Sequence, residues 1–196
     1  GKWLADSSDY WMLEPAKPGA EPEVVKYDAK SGKRINFFSD SQLVVPGTKD
    51  RLVVQRFLQT PLANKFYLQT QTGNWLFDSK SGELKKLPNV APQPSAANSF
   101  SPKVDRIIFR RGHNLAVADL ANGRVTQLTN DDHKDLDNGG NISWSPDGRR
   151  IAYIQTDSSK VRRRPVVHPT DPTYPEVTLE RFARVGTPIP TLRVGV

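Results

Sequence analysis

Cysteine is absent from this 196-residue chain. Disulfides, thiolate zinc sites and cysteine nucleophiles are excluded, while no compartment is named, because cytosol and bacterial periplasm both tolerate such a chain. Long apolar runs are missing too. None exceeds four residues, as in Tyr10-Trp11-Met12-Leu13, which is too short for a membrane-spanning helix. No apolar leader precedes the first strands, and the chain opens on Gly1-Lys2-Trp3, which reads as a mature or excised piece. Helical periodicity of useful length is also lacking.

The motifs of common chemistry are missing as well. No two glycines lie four apart, so the nucleophile elbow Gly-x-Ser-x-Gly cannot be written. Dinucleotide-binding, P-loop and His-Glu-x-x-His patterns do not occur. His113, His133 and His168 are scattered without a partner serine motif, so each reads as a surface residue rather than a base. The expectation is a chain with no catalytic residue, metal or cofactor of its own and no serine-peptidase activity by itself.

What is present begins with charge. The 28 basic and 21 acidic residues leave a formal charge of +7. Residues 160–196 hold seven of the basic and three of the acidic groups. Lys160-Val161-Arg162-Arg163-Arg164 is the densest run and could touch phosphates. It carries no interleaved aromatics and no nucleic-acid motif, so it reads as a solvated loop, and nucleic acid is not an expected partner.

The organisation is a repeat. Phe100-Ser101-Pro102 is echoed by Trp144-Ser145-Pro146, and apolar stretches follow each at the same distance, Ile107-Ile108-Phe109 and Ile151-Ala152-Tyr153. Upstream, Asp50-Arg51-Leu52-Val53-Val54 matches Asp105-Arg106-Ile107-Ile108-Phe109, which places Val45 opposite Phe100, and Trp3 precedes Tyr10-Trp11-Met12 likewise. A second signature, Asp-x-x-[Ser/Asn]-Gly, occurs as Asp28-Ala29-Lys30-Ser31-Gly32, Asp78-Ser79-Lys80-Ser81-Gly82 and Asp119-Leu120-Ala121-Asn122-Gly123. Each follows a strand-like run, and the chemistry is that of a hairpin turn: the carboxylate accepts from turn N–H groups and Gly supplies a positive φ.

Four short strands per copy, in copies of about 40–50 residues, are what a propeller blade requires. The expected fold is all-β, a partial β-propeller of four-stranded antiparallel blades at about 3–42, 43–97, 98–140 and 141–196. The last is incomplete: a Pro-rich excursion follows Ile154, and Pro190–Val196 looks like a third strand. Aromatic and aliphatic residues at the strand starts are expected to fill the space between blades. Open blade edges make self-association an expected property.

Asp131, Asp132, Asp135 and Asp137 crowd the stretch before Asn138-Gly139-Gly140. They lack the spacing of a calcium loop. Such a cluster can bind a cationic group, for example a peptide amino terminus, or form a solvated acidic turn that pairs with the 160–164 run.

The residues resemble the N-terminal β-propeller of the dipeptidyl peptidase IV branch of prolyl oligopeptidase-type serine peptidases. Trp144-Ser145-Pro146-Asp147-Gly148 is a general propeller feature. The specific similarity lies in Thr173-Tyr174-Pro175-Glu176-Val177 and in the run from Arg181 to Val196. The latter is similar to the family segment Arg-Tyr-Pro-Lys-x-Gly-x-x-Asn-Pro-x-Val, with Phe182, Ala183, Arg184 and Ile189 where Tyr, Pro, Lys and Asn are usual.

The resemblance implies a propeller that restricts peptide substrates for an α/β-hydrolase domain of the parent chain, and it leans towards a periplasmic setting. It also implies two recognition points. The family's paired glutamates for a substrate amino terminus fall on Thr129–Asp137, which contains no Glu. A family arginine falls on Tyr67, within Phe66-Tyr67-Leu68. Candidate substrate-binding residues are therefore Asp131, Asp132, Asp135, Asp137 and Tyr67, and both departures point away from strict removal of dipeptides. The alternative is a non-enzymatic propeller that scaffolds protein partners.

Overall fold

The computed structural model describes residues 1–4, 9–38, 40–89, 94, 96–168 and 173–196, leaving aside the side chains of residues 40 and 41. The architecture is all-β, with two short 3-10 turns, Asp40–Leu43 and Ala97–Ser99, as its helical pieces among the described residues. Strands β1 (Lys2–Trp3), β2 (Asp9–Pro15), β3 (Pro22–Asp28) and β4 (Arg34–Asn36) form an antiparallel sheet in that order. Strands β5 (Val54–Gln59), β6 (Lys65–Thr70), β7 (Gly73–Asp78) and β8 (Leu84–Lys86) form a second in the same manner. A third sheet contains β9 (Arg106–Arg111), β10 (Asn114–Asp119) and β11 (Val125–Gln127), with β10 in the middle.

The remaining strands are β12 (Leu136–Trp144), β13 (Ile151–Asp157), β14 (Arg163–His168), β15 (Glu176–Arg181) and β16 (Thr191–Gly195). Their sheet order is β12-β13-β16, while β14 and β15 pair only with one another. The Pro-rich excursion expected after Ile154 therefore contains an antiparallel ribbon, and β16 is the third strand of its sheet. The chain divides into two compact units, residues 1–109 with 117–126, and residues 110–116 with 127–196.

Strand count departs from four per copy in the third sheet, which has three. Phe100 makes only an isolated bridge to Ile107, and Val44 only one to Arg51.

The three Asp-x-x-[Ser/Asn]-Gly turns share one hydrogen-bond pattern. The N–H groups of Gly32, Gly82 and Gly123 donate to the carbonyls of Asp28, Asp78 and Asp119 at 2.8, 2.8 and 2.9 Å. The carboxylate Oδ1 of each aspartate accepts from a turn N–H: Ser31 at 2.6 Å, Lys80 at 2.9 Å and Ala121 at 2.8 Å. Gly82 has φ +73°, in the left-handed region where a Cβ is costly. A hydrogen bond from Asn64, then those of the turn, lower the Asp78 carboxyl below its ordinary range.

The second sheet is buried on both faces, and the period of two in its strands shows how. Phe66 and Leu68 of β6, with Trp75 and Phe77 of β7, join a cluster containing Trp11, Val24, Phe38, Leu52, Val54 and Phe57. Tyr67 points the other way, into a cluster with Leu58, Leu87, Phe100, Val104, Ile107, Ala118 and Leu120. Rings dominate the first cluster: Phe57 stacks on Phe66 at 5.2 Å between centroids, and Trp11 meets Phe57 edge-on at 4.5 Å. Alternating mid-strand residues thus join the strand starts in filling this space. The first strand start, Trp3, is exposed and packs edge-on against Tyr10.

The Ser-Pro turns show where the repeat is strained. Gly148 has φ +70°, and Val104, in the equivalent position, has φ +56°. A β-branched residue in that region is an outlier. Burial of Val104 in the second cluster and the Val104 N–H bond to the Ser101 carbonyl at 2.9 Å hold it there.

Gly82→Ala is expected to lower unfolding stability by about 1 kcal/mol, because the added Cβ meets open space and only the backbone conformation is penalised. Urea denaturation measures this; an unchanged midpoint would mean that the turn relaxes to a conformation open to any residue.

Candidate functional site

All four candidate aspartates lie in the second unit, where Asp131 and Asp132 precede β12, Asp135 borders it and Asp137 is its second residue. The Asn138-Gly139-Gly140 run is strand rather than loop. One register shift of β12 against β13 falls within it and another just after it, with Gly139 at φ +151° and Asn141 at φ +46°, as in a β-bulge. A Cβ at Gly140 would stand 3.2 Å from that of Ile154, so the bulged strand lies close to its partner.

Asn138 is fully buried, at 0% exposure, and organises a polar seam. Its Nδ2 donates to Asp131 Oδ2 at 2.6 Å and to Asn114 Oδ1 at 3.2 Å, and its Oδ1 accepts from Gln155 Nε2 at 3.0 Å. Gln155 Nε2 also reaches Asp131 Oδ2 at 3.2 Å. Asn114 clamps the backbone of Asp131, donating to its carbonyl and accepting from its N–H at 3.0 Å each. The Asp131 carbonyl also accepts from His113 Nε2 at 2.6 Å, which assigns the proton to that nitrogen. Asp131 is thus held by amides, and no cation pairs with its carboxylate among the described residues.

The other aspartates differ. Asp135, with its side chain 12% exposed, receives Arg181 through both oxygens, Nε at 2.9 Å on Oδ1 and Nη2 on Oδ2, and Arg163 Nη2 at 3.2 Å. The Arg181 hydrogen bonds hold its carboxyl well below the usual carboxylate range. Asp137 pairs with Arg110. Asp132 is exposed. The basic run does reach the acidic stretch, through Arg163, while Arg164 lies over the Phe182 ring at 3.9 Å.

Tyr67 belongs to the first unit and is 1% exposed. Its hydroxyl has no hydrogen-bond partner among the described residues. Burial, opposed by the Arg56 charge, pushes its pKa up to about 12. His133 Nδ1 accepts from the Asp135 N–H at 3.3 Å, and His168 Nε2 lies 2.8 Å from Thr178 Oγ1. Among the described residues no group of three or more His, Cys, Asp or Glu could hold a metal ion, and no helix is long and apolar enough to cross a membrane.

Sequence reasoning singled out the carboxylates and missed what surrounds them. Asn114, Asn138 and Gln155 come from three strands, so no spacing in the chain joins them. The one available sign was an Asn-Gly-Gly run ahead of a strand, which marks a bulge.

Asn138→Ala and Tyr67→Phe should shift stability in opposite directions. The first leaves amides and a carboxylate unmatched and should cost about 1–3 kcal/mol. The second removes a buried hydroxyl without a partner and should raise stability by about 1 kcal/mol. With its folded pKa raised from 10.0 to about 12, Tyr67 also makes stability fall as pH climbs through that window, and Tyr67→Phe should remove this loss. Thermal melts between pH 8 and 12 test both, and a lower melting point for Tyr67→Phe would show that the hydroxyl has a partner.

Residues 55–196 match the family described as the dipeptidyl peptidase IV (DPP IV) N-terminal region. A Talaromyces stipitatus protein named "Probable dipeptidyl-aminopeptidase B" is 31% identical over 144 residues, 60% of this chain and 16% of the relative. One of the same name from Pyrenophora teres f. teres is 27% identical over 218 aligned positions, 94% of this chain and 23% of the relative. The crystal structure of Porphyromonas gingivalis dipeptidyl peptidase 4 superposes with a TM-score of 0.65 at 18% identity, over 97% of this chain and 30% of that one. The shared fold is that of a propeller part, and the chain spans less than a quarter of either curated relative.

Proposed function

Because the chain belongs to the dipeptidyl peptidase IV N-terminal family, we propose that it is a non-catalytic propeller segment that positions or gates peptide substrates for a serine peptidase domain lying outside these residues. In this reading the copies near 3–42, 43–97, 98–140 and 141–196 are successive blades of one propeller. The names of the relatives support a peptide substrate, and the lack of a Gly-x-Ser-x-Gly elbow in these residues supports a non-catalytic role.

The observation that carries the reading is the Asp131 carboxylate. Two amides fix its Oδ2, and its Oδ1 carries no hydrogen bond among the described residues. A peptide ammonium needs such an acceptor, oriented and not already neutralised. Asp132 adds a second, exposed negative charge. Asp135 and Asp137 are already neutralised by arginines. Tyr67, expected as a substrate-binding residue, is 1% exposed and packed among apolar side chains, so it presents no group to a peptide and is dropped from the candidates.

The scaffold reading has its own support. Val167, Val177 and Leu179 stand on one face of the β14–β15 ribbon and are each more than half exposed.

Charge-assisted hydrogen bonds contribute about 1.5–3 kcal/mol, and a half-buried carboxylate falls at the lower end, so a free amino terminus should be preferred roughly tenfold. The measurement is kcat/KM of the full-length protein for one proline-containing peptide with free and acetylated amino termini. Asp131→Asn should abolish the preference and Asp137→Asn should leave it. Equal use of both peptides by the unaltered protein would overturn the role given to Asp131, and turnover of neither would favour the scaffold reading.

A further inference from the structure

The β14–β15 ribbon pairs only with itself, and two isolated strands are marginal without other support. Something at its base must hold it. Phe182 N–H donates to the Arg162 carbonyl at 2.9 Å, which closes the ribbon but attaches it to nothing. The attachment runs through Arg181. Its Nε and Nη2 take the two oxygens of Asp135, and its Nη1 donates to the carbonyls of Ser159, at 3.0 Å, and Val161. One guanidinium thereby joins the end of β15, the turn before β14 and the stretch that carries Asp131 and Asp132. The Asp135 backbone completes the joint, its carbonyl accepting from Ser158 N–H at 2.9 Å.

We infer that Asp135 is a positioning residue: through Arg181 it latches the β14–β15 ribbon to the acidic stretch, so that neither can shift without the other. Both carboxylate oxygens are occupied, so Asp135 is not itself an acceptor for a ligand ammonium. The planar fork of arginine matches the carboxylate in a way that a lysine cannot. Arg163 adds a single contact to Oδ1 and is the lesser partner. What the acidic stretch is positioned for rests on the substrate reading above; the latch does not.

The test is hydrogen exchange by mass spectrometry on the full-length protein, comparing Asp135→Asn, Arg181→Gln and the double variant. If the latch exists, amides in residues 131–138 and in 162–168 with 176–182 exchange together, at least about tenfold faster in each single variant. The double variant then exchanges no faster than either single one, because the two changes break the same contact. Residues 54–86 should be unaltered in all three. Acceleration of only one of the two segments, or single effects that multiply in the double variant, would overturn the latch. Arg181→Lys is the milder variant should Arg181→Gln not fold; it keeps the charge and loses the fork, and wild-type exchange in it would also overturn the proposal. If Asp131→Asn abolishes the free-terminus preference while exchange in Asp135→Asn is unchanged, the latch fails and the substrate reading stands. With coupled exchange but no free-terminus preference, the latch stands and the role given to Asp131 fails.

Discussion

A strand such as β6 has two faces, and here both are dry. Phe66 and Leu68 pack into one cluster and Tyr67 into another, with Leu68 and Tyr67 at 0% and 1% exposure. A sheet buried on both sides needs an apolar surface against each face, so this part of the chain is stable only as a stack. The short strands, the tight Asp-Gly turns and the ring contacts serve that stacking. The Tyr67 hydroxyl, without a partner among the described residues, and the strained Val104 backbone sit in the second cluster, where close packing outweighs local preference.

The acidic stretch obeys a different rule. Four carboxylates in seven residues repel one another, and the structure separates them by giving each a distinct environment. Arginines neutralise Asp135 and Asp137, amides orient Asp131, and water faces Asp132. Such sorting leaves one of the four, Asp131, oriented by amides rather than neutralised by an arginine. It also explains the placement of the basic run, since Arg163 is drawn to the same carboxylate as Arg181.

Much of the fold was legible in the sequence because its signals are local. Asp28, Asp78 and Asp119 announce their turns within five residues, and each turn forms as its residue types require. The β14–β15 ribbon was not legible. Polar and apolar residues alternate in β15, but Arg163-Arg164-Pro165-Val166-Val167 of β14 does not alternate, and the prolines at 169, 172 and 175 read as loop. The amide seam was not legible either: Asn114, Asn138 and Gln155 meet only after β9 to β13 have taken their places. Tyr67 is a candidate only through the family resemblance of the stretch around it, and its burial follows from the sheet's second face, which no local signal marks.

The order of strands in the last sheet bears on how the protein reaches its native state. Hairpins such as β6–β7 close over very short loops and can form within microseconds. The pairing of Asp157 with Thr191 must instead draw together segments separated by the whole ribbon. Closing so long a loop costs chain entropy before any ladder bond repays it, which slows the step. A ribbon held at its base shortens the distance to be closed, so β16 pairs most readily once β14–β15 and its Arg181 contacts have formed. During synthesis the earlier sheets can be complete while the edge of β13 still waits, exposed to strands of other molecules.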